Sequence, residues 1–325
     1  MFILPYQVEA GRKQLPVMTL AIGLACLVIY YFQYVGNARI DAALQEFCRQ
    51  EIRLHPNLFG GKNSEQKQST CRSVFRRIYY SENKQEAYQL ILKNLNIRQP
   101  DPLTVRRFLD YLQLKYSQFA KLAPDKDLSS RLWLPAGSFD PQRMLTAAFA
   151  HGSWWHVIGN VFFFIVFASA VERVIGWKWF LALFLVIVYS SHAVYSLVSL
   201  FRNRQEVTVG LSGAVIGMMA FMAIILPRAR VRCVFWAIIF LTTVSLPAWT
   251  IAFSYIGLDL LRYAFSDNQS NINFVVHIAG AGSGLLIAML IPRDIRRQMA
   301  LRSSLHYIRR YYRPLSSGSD DNTHV

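Results

Sequence analysis

The sequence predicts an all-α membrane protein: a core of six transmembrane helices with a helical extramembrane domain inserted between the first and second spans. Three observations carry this. Of 325 residues, 53% are apolar and only 17% charged, below the ~25% of an ordinary soluble domain. Uncharged apolar runs of bilayer-spanning length recur along the chain. The basic residues, 35 Lys and Arg against 19 Asp and Glu for a net charge of +16, sit between those runs rather than on one patterned face. A lipid bilayer as partner, and no nucleic acid, accounts for both composition and charge.

The runs are 15–32, 153–171, 179–201, 207–226, 233–258 and 272–292. The first ends in Tyr30, Tyr31 and Phe32 rather than in the small residues of a cleavage site, so it reads as a span and not a removable signal. The fifth is longer than a crossing requires and contains Pro247, which predicts a tilted or kinked helix. Six spans put both termini on one side, and the short connections choose which. Fourteen Lys and Arg, from Arg12 and Lys13 to Arg310 and Arg313, stand against Arg202, Arg204 and Arg262, placing the termini in the cytoplasm. A compact core without a transit peptide fits a bacterial inner membrane. The predicted divisions are 1–36, the N-terminus and first helix; 37–128, the extramembrane domain; 129–292, the core with five further spans; and 293–325, a basic tail.

Within 37–128 the residues Val105, Phe108, Leu109, Leu112, Tyr116 and Phe119 repeat at helical spacing, after an Asp101-Pro102 start signal. A weaker stripe runs Ile40, Leu44, Phe47, Cys48, Ile52. Segment 60–70 reads as a polar loop and 314–325 as a disordered tail. No CxxC spacing indicates a metal or redox site, and Cys48 and Cys71, alone in this domain, are expected to pair if its side of the membrane is oxidising.

Ionisable and polar residues inside spans are costly and are functional candidates by default. They cluster in three places. The second span opens HGSWWHVIGN, with His151, His156 and Asn160; the fourth opens GLSG, with Gly210, Ser212 and Gly213; the sixth carries HIAGAGSG, with His277, Gly280 and Gly284. Spans two, four and six run in the same direction, and each candidate lies near its span's start, so they share a depth. Gly213-x-x-x-Gly217 and Gly280-x-x-x-Gly284 allow close backbone approach. If those faces meet, Ser212 and His277 come within reach of a hydrogen bond. Serine needs an adjacent base to act as a nucleophile, and a neutral imidazole is the commonest one. His156 and Asn160, four apart on one helical face, can aim N–H donors at a developing oxyanion.

Each element also has a plainer reading. GxSG in a span serves ordinary helix packing, a histidine at a helix end suits the interface, and His192 reads as packing. His151 and His156 could suggest a metal, but no HExxH glutamate accompanies them, and no metal or other cofactor is expected.

The order and spacing of these elements resemble the rhomboid intramembrane serine proteases: HxxxxHxxxN (His151, His156, Asn160), ExxxG (Glu172, Gly176), GxSG (Gly210, Ser212, Gly213) and HxxGxxxG (His277, Gly280, Gly284), across residues 140–292. The resemblance implies Ser212 as nucleophile, His277 as general base, and His156, Asn160 and the Ser212 N–H as oxyanion donors. It implies cleavage of single-span or other membrane-protein substrates through an acyl-enzyme, without cofactor. Two positions depart from the family pattern. Gln142-Arg143 replaces the usual Trp-Arg, and Ile216 stands where an aromatic usually packs on the imidazole. The alternative is a rhomboid-like pseudoprotease that binds membrane helices as a chaperone. A transporter would predict acidic residues within the spans, and the six predicted runs contain none.

Overall fold

The computed structural model describes residues 2–10, 14–55, 59, 61–81, 83–94, 102–123, 128–202, 207–237, 240–265 and 274–311. In chain order the elements are β1 (Phe2–Glu9), α1 (Val17–Leu54), α2 (Ser64–Tyr80), α3 (Lys84–Asn94), α4 (Pro102–Leu122), α5 (Leu128–Leu132), α6 (Pro141–Ala147), α7 (Trp154–Ile175), α8 (Trp177–Arg202), α9 (Ser212–Ile225), β2 (Arg230–Ala237), β3 (Phe240–Pro247), α10 (Ala248–Phe265), α11 (Phe274–Leu290) and α12 (Arg293–Tyr311). Contacts divide the chain into two units, Met1–Tyr30 with Leu132–Val325, and Tyr31–Arg131.

In the first unit, α9 is the axis. Gly213 to Met222 are all buried, enclosed by α7, α8, α10 and α11. The tightest contact is with α11. A Cβ at Gly280 would collide with the Gly213 carbonyl oxygen, and one at Gly284 with that of Gly217. One at Gly217 would lie 2.8 Å from the Gly280 oxygen. The two glycine faces therefore meet backbone to backbone, the contact that small residues permit between membrane helices.

Helices α1, α7 and α8 are long and apolar enough to cross a membrane. With α12, from which it is bent by 102°, α11 forms a fourth candidate span. The 22 residues of α7 give about 33 Å of helix, close to one hydrocarbon thickness. Exposed Trp154 and Trp155 begin it, and exposed Trp177 and Trp179 follow its end, as an aromatic belt at each interface requires. The chain is a membrane protein. By length and apolarity, three or four of the six expected crossings stand among the described residues, because α9 has only 14 residues and α10 does not reach the same apolarity.

The predicted fifth span, 233–258, is corrected. Its first part forms β2 and β3, an antiparallel pair with Arg230 opposite Pro247, and the helix begins only at Ala248. The run Cys233–Leu246 is rich in Val, Ile, Phe and Thr; such residues favour a pleated surface, and an uncharged apolar run does not by itself distinguish strand from helix. β1, which the sequence reading missed, pairs antiparallel with β2 and completes the order β1-β2-β3. Arg232 of β2 pairs with Glu9 of β1. The β1 register shifts between Pro5 and Gln7, at the residue that lacks an N–H for the ladder.

The second unit is a helical bundle built around Ile40, Leu44, Phe47, Phe75, Ile78, Leu112 and Phe119. Residues of both stripes read from the sequence are among them. Cys48 and Cys71 form a disulfide with Cα atoms 5.9 Å apart. α1 runs through residue 36 and is 38 residues long, about 57 Å at the α-helical rise. The expected polar loop 60–70 is also corrected, since α2 starts at Ser64. Asn63 Oδ1 accepts from Gln66 N at 2.8 Å, and Gln66 Oε1 accepts from Lys62 N at 2.7 Å, a reciprocal cap that a polar composition conceals. At the other end, Lys84 Nζ donates to the carbonyls of Ile78, Tyr79 and Ser81. The buried Glu51 carboxylate accepts from Tyr111 OH and Lys115 Nζ, each at 2.7 Å. Burial, with that carboxylate alongside, holds the Tyr111 phenol above its usual range and so protonated as the donor. Asp101 and the tail 314–325 lie outside the described residues.

Candidate active site

The segment leading into α9 is pinned from two directions. Leu134 and Thr208 exchange both backbone hydrogen bonds, and Gly210 N–H donates to the Ala147 carbonyl at 2.8 Å. Gly210 adopts φ +117°, a region that side chains disfavour. Ser212 then opens α9, half-buried, and no side chain caps this helix end. Its N–H is one of those an α-helix leaves without an internal partner, and the helix dipole adds positive potential there.

Facing that turn are His156 and Asn160 of α7. A Cβ at Gly210 would sit 2.9 Å from His156 Nε2 and 3.2 Å from Asn160 Nδ2. Only glycine lets both side chains come this close to the backbone before Ser212. Ser153 Oγ accepts from His156 N at 3.1 Å and so caps α7 at the turn that carries the histidine. Gly152 N–H reaches His156 Nδ1 at 3.5 Å. A backbone N–H can only donate, so Nδ1 is the acceptor and a neutral ring carries its proton on Nε2, toward Gly210. Asn160 Nδ2 is buried and makes no hydrogen bond among the described residues. An unmatched buried donor is costly, and this one lies beside the backbone that precedes Ser212. His151 lies behind, buried, its ring edge-on to His156 at 5.0 Å and its Nδ1 3.1 Å from the Phe149 carbonyl.

His277 comes from α11 at the glycine contact. A Cβ at Gly213 would lie 2.6 Å from Val276 Cγ1, which puts the residues after Val276 and before Gly213 at the same level of the two helices. Ser212 and His277 share no hydrogen bond among the described residues. The ring bonds elsewhere. His277 Nδ1 is 2.8 Å from Asp259 Oδ2 of α10, both side chains 13% exposed. Sequence reasoning missed Asp259 because the fifth span was ended at 258, one residue short. The only signal was a lone acid in YIGLDLLRY, on a chain whose predicted spans held none. His192 is buried with Nδ1 3.0 Å from the Val188 carbonyl of its own helix, a structural arrangement.

Residues 139–294 match the family model described as the Rhomboid domain. Just under half of the chain is thus a Rhomboid domain. Its curated relatives agree. Rhomboid-like protein 11, chloroplastic, from Arabidopsis thaliana is 26% identical over 151 residues, 46% of this chain and 52% of that protein. The presenilin-associated rhomboid-like protein, mitochondrial, is 24% identical in Mus musculus over 151 residues and 26% in Homo sapiens over 155, each match covering 46% of this chain and 38% of the relative. This chain thus spans about half the length of the first relative and less of the others. The relatives' names place them in chloroplasts and mitochondria, so the expected bacterial inner membrane has no support among them.

Three features of the rhomboid pattern are visible as geometry. Glu172, 4% exposed, accepts from Met18 N at 3.0 Å, Thr19 N at 2.8 Å and Thr19 Oγ1 at 2.7 Å, closing the N-terminus of α1. Gly176 ends α7 at φ +83°, its N–H bonded to the Glu172 carbonyl. Ile216, the aliphatic departure, is buried in α9. The aromatic against the imidazole is instead Phe274, three residues before His277 on α11, edge-on at 6.3 Å. Gln142 is exposed in α6, beside an N-cap formed by Asp140.

Proposed function

We propose that this rhomboid is a serine endopeptidase that cleaves membrane-protein substrates at or within their transmembrane helices. The observation that carries this reading is the pair of donors at Gly210: His156 Nε2 and the unmatched Asn160 Nδ2 converge on the backbone just before an uncapped helix end that begins with Ser212. Donors fixed in advance where charge develops are worth more than any other single catalytic device. Ser212 Oγ attacks the scissile carbonyl, and its proton passes to His277 Nε2. The oxyanion is held by Asn160, His156 and the Ser212 N–H. Collapse gives the amine, which takes the proton from His277, and an ester on Ser212 that water then hydrolyses.

In this reading the core crosses the membrane six times, with both termini on the more basic, cytoplasmic side. The helical unit faces the opposite compartment, where the Cys48–Cys71 disulfide is favoured by an oxidising environment. The second reading, a helix-binding protein without protease activity, draws on the missing Ser212–His277 hydrogen bond. One experiment separates them. Full-length protein in liposomes, given single-span substrates and a fluorophosphonate probe, is expected to cleave and to be labelled on Ser212. Ser212→Ala and His277→Ala are expected to abolish cleavage, and Asn160→Ala to slow it by ~10²–10³-fold while keeping reduced labelling. Undiminished labelling of Ser212→Ala would remove the nucleophile assignment, and a folded protein that binds substrate helices without cutting any would establish the second reading.

A further inference from the structure

Helix α10 carries a carboxylate in a setting where charge is expensive. Asp259 is 13% exposed, and its one hydrogen bond among the described residues is to His277 Nδ1. Acids inside membrane helices are rare, face protein and mark function. A residue that served only to fill space between α10 and its neighbours α9 and α11 would be apolar.

We propose that Asp259 is a positioning residue for His277, an inference that rests on the hydrolytic reading of Ser212 and His277. An imidazole has two nitrogens, and only one can face serine. With Nδ1–H donating to Asp259 Oδ2 at 2.8 Å, the neutral ring must leave Nε2 as the acceptor, the form a general base needs. The ring has no other hydrogen bond to choose its tautomer or fix its rotation among the described residues. Phe274 supplies only an apolar edge. When Ser212 gives up its proton, His277 becomes a cation, and the adjacent carboxylate stabilises it while taking no proton itself. The Asp259–His277 pair joins α10 to α11 across 18 residues of sequence, so α10 holds part of the catalytic apparatus.

Asp259→Asn keeps the shape and removes the charge. In liposomes its kcat for a single-span substrate is expected to fall by between about 10-fold and ~10⁴-fold, the upper figure being that of the same change in a soluble triad, with KM within about twofold, since a residue acting through the base alters the transition state rather than substrate binding. A second measurement needs no turnover. In protein carrying ¹⁵N-histidine, native and Ser212→Ala forms are expected to show a low-field Nδ1–H proton resonance from His277, shifted upfield in Asp259→Asn and lost to exchange in Asp259→Ala. If Asp259→Asn retains native kcat while Ser212→Ala is inactive, or if the folded native protein shows no such resonance, the positioning role is overturned. A lower melting temperature with intact kcat would overturn it too. If cleavage proves independent of Ser212, the hydrolytic reading fails instead, and the resonance still reports whether His277 and Asp259 are joined.

Discussion

The α9–α11 contact and the helical unit 31–131 solve the same problem, holding helices together, by opposite means. In the membrane core, four glycines remove side chains until carbonyl oxygens meet the facing helix. In the helical unit, aromatic side chains fill the centre, a disulfide joins α1 to α2, and a buried carboxylate is satisfied by a tyrosine and a lysine. Lipid offers no hydrophobic drive for helix association, so close packing must supply it; water does offer that drive, and large apolar side chains exploit it. The difference leaves one region held by backbone contact and commits polar groups in the other to structure.

The comparison breaks most severely at the glycines. Gly284→Leu must push apart two backbones that have no side chain to yield, so its cost is expected to exceed the ~1–3 kcal/mol of ordinary overpacking. Loss of Ser212 labelling together with loss of resistance to proteolysis across α9 and α11 would register it; a protein that still cuts at the native rate would mean the contact is not what sets the active-site spacing. In the helical unit, Cys48→Ser with Cys71→Ser is expected to cost about 3 kcal/mol in the chain-entropy account of a loop of this length. Hydrogen exchange in α2 should accelerate, while labelling of Ser212 per folded molecule stays within about twofold, as expected of sites without shared partners. Smallest is Lys115→Met, which leaves the Glu51 carboxylate buried with Tyr111 alone. A destabilisation of about 1–3 kcal/mol is expected, read as a lower melting temperature of the full chain with unchanged cleavage. Equal sensitivity of cleavage to all three changes would erase the distinction between the regions.

The site was legible in the sequence to the extent that its chemistry is spaced along helices. His156 and Asn160 are four apart, His277, Gly280 and Gly284 share a face, and Ser212 sits between glycines; helical periodicity turns each spacing into a direction. The disulfide was legible because only Cys48 and Cys71 fall between the first two spans. What escaped depended on partners far away in sequence. The β2–β3 hairpin reads as a span until one knows that Phe2–Glu9 pairs beside it. Asp259 reads as the polar edge of a helix until His277 is placed against it. Gln66 reads as loop because its value lies in a reciprocal cap with Lys62 and Asn63 rather than in its composition.

The three-stranded sheet also constrains how the chain is made. β2 lies between β1 and β3, so Phe2–Glu9 must wait through more than two hundred intervening residues before its partner leaves the ribosome. Over that interval Phe2–Glu9 has no ladder to join, and when residues 233–246 emerge they present the insertion machinery with an apolar run that resembles a crossing. In the folded chain β2 is paired with β1, Arg232 lies against Glu9, and the helix starts after Pro247. The placement of 233–246 outside a helix thus depends on a strand more than two hundred residues away in sequence.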